Sequence, residues 1–193
     1  MREFGDSRRE VILEAALAEF NARGYAAASI EDIRRRSGAS VGSIYHHFET
    51  KGQIASTLYV DGLRGYQWGF VETLKAAEST HEGVERVVHH HAGWVELHED
   101  MARFLLLAGH PPVGPGGKAL RRLNRGFFAA IDDWTRPRTA AGELRKLGLD
   151  VLAALWIGPS QELARHWLAD RSRISPTNGA AALAEAARRS LCP

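Results

Sequence analysis

The stretch from Gly24 to Phe48 leaves room only for short elements, and this limits what the chain can build at that end. Ser29-Ile30-Glu31-Asp32 carries a serine with an acid three residues on, a capping box in which each side chain satisfies the other's free backbone amide. The helix it opens has space for about two turns before Gly38, because glycine tolerates the left-handed conformation that ends helices. Ser40 then caps another short helix reaching about Phe48. Two short helices joined by a tight glycine turn have the spacing of a helix-turn-helix. The same spacing suits a small helical subdomain that binds nothing, and spacing alone leaves both open.

Helical periodicity extends over nearly all of the remaining chain, and no stretch alternates strictly enough for a strand. Upstream, Ser7-Arg8-Arg9-Glu10 reads as the capping box of a first helix, with Ile12, Ala16 and Phe20 recurring every fourth residue and Gly24 as its stop. Downstream, Ile54, Leu58, Tyr66, Phe70 and Leu74 predict a helix to about Ala77. Further helices are expected over 84–98, 104–107, 118–134, 143–168 with a kink at Pro159, and 178–191. Residues 109–117, rich in glycine and proline, read as a loop. The expected fold is all-α with about nine helices: a three-helix domain over residues 1–51 and a larger helical domain over 52–193.

A chain of 193 residues with 45% hydrophobic and 25% charged residues has the composition of a water-soluble globular protein. Its apolar runs, such as 151–157, fall far short of the roughly 20 residues that span a bilayer. The opening Met-Arg-Glu-Phe-Gly-Asp has no apolar core of a secretory signal, and the single cysteine, Cys192, has no disulfide partner. A cytoplasmic location is expected, with no membrane partner. The formal net charge is only +2, and within residues 1–51 the basic side chains are matched by as many acids. Any polyanion site there depends on how charge is distributed.

Enzyme and metal readings find little to stand on. Gly116-Gly117-Lys118 resembles the end of a phosphate-binding loop, but the first glycine of that motif falls on Pro112 and its Ser/Thr on Ala119. His89-His90-His91 cannot share one ion on a helix, because consecutive side chains point about 100° apart. His91 and His98 share a face, but two turns separate them. Cys192 lacks a nucleophile motif, stands next to the chain's last residue and is expected in a frayed, inert tail. No catalytic residue, metal or cofactor is expected.

One stretch, Ala39-Ser40-Val41-Gly42-Ser43-Ile44-Tyr45-His46-His47-Phe48, is too short and polar for a core yet dense in rings. Together with Ser29 to Gly38 before it and Glu49-Thr50-Lys51 after it, it strongly resembles the DNA-binding signature of the tetracycline-repressor (TetR) family of transcriptional regulators. The glycine-x-serine turn, the Tyr45-x-x-Phe48 pair and Lys51 all fall in register, and Phe20-Asn21-Ala22-Arg23-Gly24-Tyr25 is similar to the end of that family's first helix. The match covers about residues 8 to 54. Beyond it the likeness is one of helix number and length.

The resemblance implies a homodimer that binds a palindromic double-stranded operator through three N-terminal helices. It also implies that the C-terminal helices hold an unidentified small-molecule effector and the dimer interface, and that the effector releases a repressor from DNA. On the residues, Ser40 frees the amides of the third helix, Gly42 lets the backbone come close, Val41 offers a methyl to thymine and Ser43 a hydroxyl to a base edge or phosphate. Tyr45, His47 and Lys51 match phosphate-contacting positions, and His46 faces a base or the backbone. Ser29 opens the signature, and Ile44 and Phe48 are expected to pack on Phe20, Ile30 and Ile33. The third helix has no Arg, Asn or Gln for bidentate base contacts, so specificity is expected to rest on thymine methyls, DNA shape and half-site spacing.

Two departures stand out. Arg34 occupies a position where the family usually has a small residue, so its long side chain must reach out toward phosphate or pair with an acid. Gly52-Gln53-Ile54 replaces a more usual acid and leucine.

In the C-terminal domain, Gly62, Gly65 and Gly69 fall near one helix face. They leave room for a ligand or for another helix, or reflect tolerated flexibility. Gly65, Tyr66, Trp94, His98, Phe104, Phe127, Trp156 and Gln161 are the candidate pocket residues, although aromatics at this spacing also serve as plain core. Leu152, Leu155, Leu163, Trp167, Leu183, Ala187 and Leu191 are the candidate dimer face, which would form a four-helix bundle with a partner. The rival readings are a helical enzyme or binding protein with a vestigial DNA motif, and a regulator that responds to a partner protein.

Overall fold

The structure is a computed structural model that describes residues 4–107 and 117–193, with side chains from Arg8 onward. Among the described residues it has ten helices and no strand. Helix α1 (Phe4–Ala27) begins ahead of Ser7, so the Ser7 and Glu10 pair expected as its cap lies inside the helix. Gly24, at φ 77° and ψ 155°, breaks α1 where a stop was expected, and a final turn follows it.

Helix α2 (Ile30–Ser37) has the bounds its sequence predicts. The Asp32 amide donates to Ser29 Oγ at 3.1 Å and the Ser29 amide donates to Asp32 Oδ2 at 3.0 Å, while Gly38 closes the helix at φ 63°. Helix α3 (Val41–His47) starts with the Ser43 amide donating to Ser40 Oγ at 3.1 Å and ends with the Phe48 amide donating to the Ile44 carbonyl at 2.9 Å.

Helix α4 (Lys51–Lys75) follows, then α5 (Thr80–Leu97) and α6 (Glu99–Leu107). α5 starts before Val84 because Ser79 caps it, accepting from the Glu82 amide at 3.2 Å. The expected loop over 109–117 lies outside the described residues apart from Gly117, which opens α7 (Gly117–Ala140). No single helix forms over 143–168. Residues 141–148 are irregular, and α8 (Leu149–Trp156) and α9 (Gly158–Leu168) part at Ile157. Pro159 sits in the first turn of α9, where its missing N–H costs nothing, so it opens a helix instead of kinking one. α10 (Pro176–Leu191) starts on a Ser175 cap.

The chain packs as two compact units, one of residues 1–63 and 100–121, the other of 64–99 and 122–193. In the first, Ile12, Ala16, Phe20, Ile33, Ile44, Phe48 and Ile54 form the core, with Ile30 at its margin. Ile44 and Phe48 turn inward as their four-residue spacing requires. Phe104, a candidate pocket residue from sequence, belongs to this core. Its ring is buried and stacks on Phe20 with centroids 5.9 Å apart, so it lines no cavity of the second unit.

In the second unit α10 lies along α5 and against α8 and α9. Trp134 and Trp156 are buried with their indole N–H groups satisfied by the Leu74 and Val84 carbonyls, at 3.1 and 2.9 Å. Leu152, Ala187 and Leu191, expected on the dimer face, are buried in this core, and Leu183 packs half-buried against it. The apolar stripe of α10 closes the protomer's own interior. Leu163 likewise faces α10, where a Cβ on Gly179 would collide with its methyl group. Leu155 is 37% exposed, Val151 one turn earlier is 51% exposed, and Trp167 is half-buried.

Cys192 is buried at the end of α10, not frayed, and burial pushes its thiol pKa up. The glycines of α4 divide: a Cβ on Gly62 would strike the Met101 thioether and one on Gly69 the His90 ring, so both admit a neighbouring helix. Gly65 is exposed with nothing near it and is not among the residues that line the cavity of the second unit.

Candidate nucleic-acid interface and effector cavity

α3 divides by face. Ile44 and Phe48 anchor it, while Val41 is 46% and Tyr45 52% exposed; Gly42 and His46 are exposed, and Ser43 and His47 half-buried. His46 and His47 meet edge to face with centroids 5.1 Å apart. A Cβ on Gly42 would find nothing closer than Ser40 Oγ at 4.0 Å, so nothing inside the chain requires a glycine there. The hydroxyls of Ser29 and Ser40 serve as helix caps.

The arginines of α2 are each paired. Arg34 binds Glu31 with two hydrogen bonds, at 2.8 and 2.7 Å, taking the acid-pairing course of the two open to it. This pairing pulls the Glu31 carboxyl below its usual pKa and raises that of Arg34. Arg35 meets Asp32 at 2.8 Å, and Arg36 meets the buried Glu19 at 2.7 Å, which also takes Arg23 at 3.0 Å.

Lys51 has an internal role that its sequence did not reveal. Its ammonium donates to the carbonyls of Tyr25, Ala28 and Ala26 at 2.8, 2.7 and 3.3 Å, and lies 4.6 Å from the centre of the Tyr25 ring. These carbonyls lie in and just beyond the final turn that follows Gly24, at the C-terminal end of α1. The signal was present in the glycine stop, since an interrupted helix end needs donors.

In the second unit a cavity of about 240 Å³ opens between α4, α7, α8 and the start of α9. Of the candidate pocket residues, Tyr66, Phe127, Trp156 and Gln161 line it together, joined by Phe70, Phe128, Ile131, Leu149 and Leu152. Trp94 and His98 do not reach the wall. Trp94 meets Tyr66 edge to face and His98 at a tilt, with centroids 5.2 and 5.1 Å away. Leu149 and Leu152 escaped attention as lining because a continuous 143–168 helix would have set a different face inward.

Behind the wall, His91 is buried with Nδ1 3.1 Å from the Tyr66 hydroxyl and no hydrogen-bond partner at Nε2. His90 Nε2 lies 3.3 Å from the Tyr66 carbonyl. Burial, reinforced by His90 and only partly offset by the Ser160 backbone, holds His91 down at about 4 against an ordinary 6.5. The unfolded chain therefore takes up a proton below about 6.5 that the folded chain refuses until about 4, and stability falls through that window by about 1.4 kcal/mol per pH unit. Urea midpoints of the wild type are expected to fall more steeply than those of His91→Gln between about pH 6.5 and pH 5; equal slopes would contradict a buried neutral ring. Among the described residues no group of three or more His, Cys, Asp or Glu side chains gathers as a metal site, and no helix is long and apolar enough to cross a membrane.

Fold and site together define a helix-turn-helix protein with a second helical unit that encloses an apolar cavity. Residues 12–58 match the model of the bacterial regulatory proteins, tetR family. The HTH-type transcriptional repressor KstR2 of Mycobacterium tuberculosis is 33% identical over 111 residues, 52% of this chain and 54% of that protein. The chain thus matches about half the length of these relatives. A TetR-family regulator from Marinobacter aquaeolei VT8 superposes with a TM-score of 0.81 over 100% of this chain and 99% of its own, at 18% identity. FadR from Bacillus subtilis, solved in complex with stearoyl-CoA, does so at 0.78 over 92% and 96%, at 17% identity. At these identities the likeness is one of fold. Over residues 12–58 the chain thus resembles the bacterial regulatory proteins of the tetR family.

Proposed function

We propose that this protein is a homodimeric DNA-binding repressor whose affinity for a palindromic operator falls when a small apolar or amphipathic molecule fills the cavity. Residues 1–51 read the DNA, and 52–193 bind the effector and the second protomer. The observation that carries this reading is the outer face of α3. Two buried anchors hold up a row of exposed side chains, with a glycine in the row that has room for a Cβ inside the fold. The reason for that glycine then lies outside the chain, where a DNA backbone must come close.

Val41, exposed at the start of α3, suits a thymine methyl, and Ser43, Tyr45, His46 and His47 offer hydroxyl and imidazole groups to phosphates and base edges. With Arg34, Arg35 and Arg36 held by acids, phosphate contact falls mainly to α3, and sequence is read through methyl contacts, groove shape and half-site spacing. A dimer sets two such helices about 34–36 Å apart for successive major grooves. Val151 and Leu155, one turn apart on α8, are exposed apolar groups suited to that interface. An effector that binds better to another separation weakens operator binding by its differential affinity.

A gel shift with DNA flanking the gene, titrated with salt, tests the reading: salt-sensitive binding to a palindrome is expected, and no binding at low salt would overturn it. Gly42→Ala sharpens the test. It is expected to raise stability by about 0.5–1 kcal/mol and yet weaken operator binding. Unchanged affinity would remove the close-approach argument.

A further inference from the structure

The cavity wall is apolar except at one place. Trp156 faces it with carbon only, its N–H being committed to the Val84 carbonyl. The Tyr66 hydroxyl is committed to His91 at 3.1 Å. Phe70, Phe127, Ile131, Leu149 and Leu152 add no polar atom. Gln161 remains, and its side-chain amide has no hydrogen-bond partner among the described residues while its backbone N–H is satisfied by the Ile157 carbonyl at 2.8 Å. It stands in the first turn of α9, a helix start that no side chain caps, next to the wall residues Ile157 and Gly158. On the same turn Ser160 Oγ is 97% removed from solvent and without a partner. Of these two, Gln161 lines the wall itself, while Ser160 lies behind it on the same turn.

We propose that Gln161 is the residue that selects the effector, and that it selects an uncharged apolar molecule bearing a carbonyl oxygen, such as a ketone or an ester. This rests on the reading of the cavity as the effector site. Gln161 offers both N–H donors and a carbonyl acceptor, but the helix start beside it, which no side chain caps, adds donors only, so the balance at this end of the wall favours an acceptor group on the ligand. The acceptor is neutral. Among the described residues no Lys or Arg lines the wall, and an ionised carboxylate there would give up part of its water with no cationic side chain to replace it. Size is bounded as well. About 240 Å³ lies above the ~150 Å³ cavity that binds benzene and just below the roughly 300–1,000 Å³ of drug-sized sites. A ring with a short ketone chain is therefore of the right scale.

Isothermal titration calorimetry on the full chain with benzylacetone, butylbenzene and phenylbutyrate tests this directly. The three share a ring and a chain and differ in the terminal group: a neutral carbonyl, none, or a carboxylate. The ketone is expected to bind about five- to tenfold tighter than the hydrocarbon, and the carboxylate more than about tenfold weaker than the ketone. In Gln161→Leu the preference for ketone over hydrocarbon is expected to shrink to about twofold or less. Phenylbutyrate binding as tightly as benzylacetone, or a preference that survives in Gln161→Leu, overturns the assignment. The wild-type comparison stands even if the variant folds poorly. Adding benzylacetone to the gel shift separates the two levels: selective binding without operator release leaves the Gln161 assignment intact and removes the effector role of the cavity.

Discussion

Phe104→Ala is expected to lower the unfolding free energy by about 3–5 kcal/mol, the range for deleting a fully buried aromatic ring. The ring is 2% exposed and stacks on Phe20 among the residues that also seat Ile44 and Phe48. Removing it opens a void beneath the helix-turn-helix, which interiors packed like crystals fill only in part. Urea unfolding followed by circular dichroism measures the loss. A drop below about 1 kcal/mol would mean that the ring is not core. The cavity of the second unit is expected to keep its ligand selectivity in this variant wherever the chain remains folded, because its wall residues and this core belong to different compact units.

The second large effect concerns Lys51. Lys51→Met keeps the unbranched side chain, one atom shorter, and removes its charge, leaving the carbonyls of Tyr25, Ala28 and Ala26 without their shared donor. Charge-assisted hydrogen bonds of this kind contribute about 1.5–3 kcal/mol, and the contact with the Tyr25 ring adds about 0.5–1. A stability loss of about 2–3 kcal/mol is expected, since part of the site is open to water that can replace the donor. If the lysine instead serves chiefly to hold phosphate, stability stays level, and the log–log salt dependence of operator binding flattens by about one unit. Unfolding curves and salt titrations on one protein preparation distinguish the two.

Lys51 also shows where sequence reading reached its limit. Between Ser29 and Phe48, where residues answer to near neighbours, local chemistry was legible, although the Ser7–Glu10 pair upstream fell inside a helix that starts earlier. The Ser29–Asp32 box, the Gly38 turn and the Ser40 cap are all contacts within a few residues, and each formed as read. The inward turn of Ile44 and Phe48 followed from spacing alone. What failed depended on distant partners. Lys51 reaches 23 to 26 residues back, and Phe104 finds Phe20 across most of the N-terminal unit.

Apolar stripes carry the same ambiguity. Leu152, Ala187 and Leu191 have the pattern of a helix face that must be covered, but the pattern does not say whether the cover comes from the same chain or from another. Pro159 misled for a different reason: a proline kinks a helix from the middle and opens one at the first turn, and only the position of the helix start decides which. Half of the candidate pocket came together: Tyr66 and Phe127 lie on helices read nearly as they form, while Trp156 and Gln161 reach the wall from either side of the break at Ile157.

The buried thiol of Cys192 has a practical meaning. It is the only cysteine in the chain and sits 3% exposed against the core at the end of α10. A labelling reagent can reach it only when that end of the helix lets go, so modification under native conditions runs at the rate, or to the extent, that α10 opens. The chain thus carries its own clock for the loosening of the unit that holds the cavity. A molecule bound there slows the clock in proportion to how much it tightens that unit, with no engineered probe required.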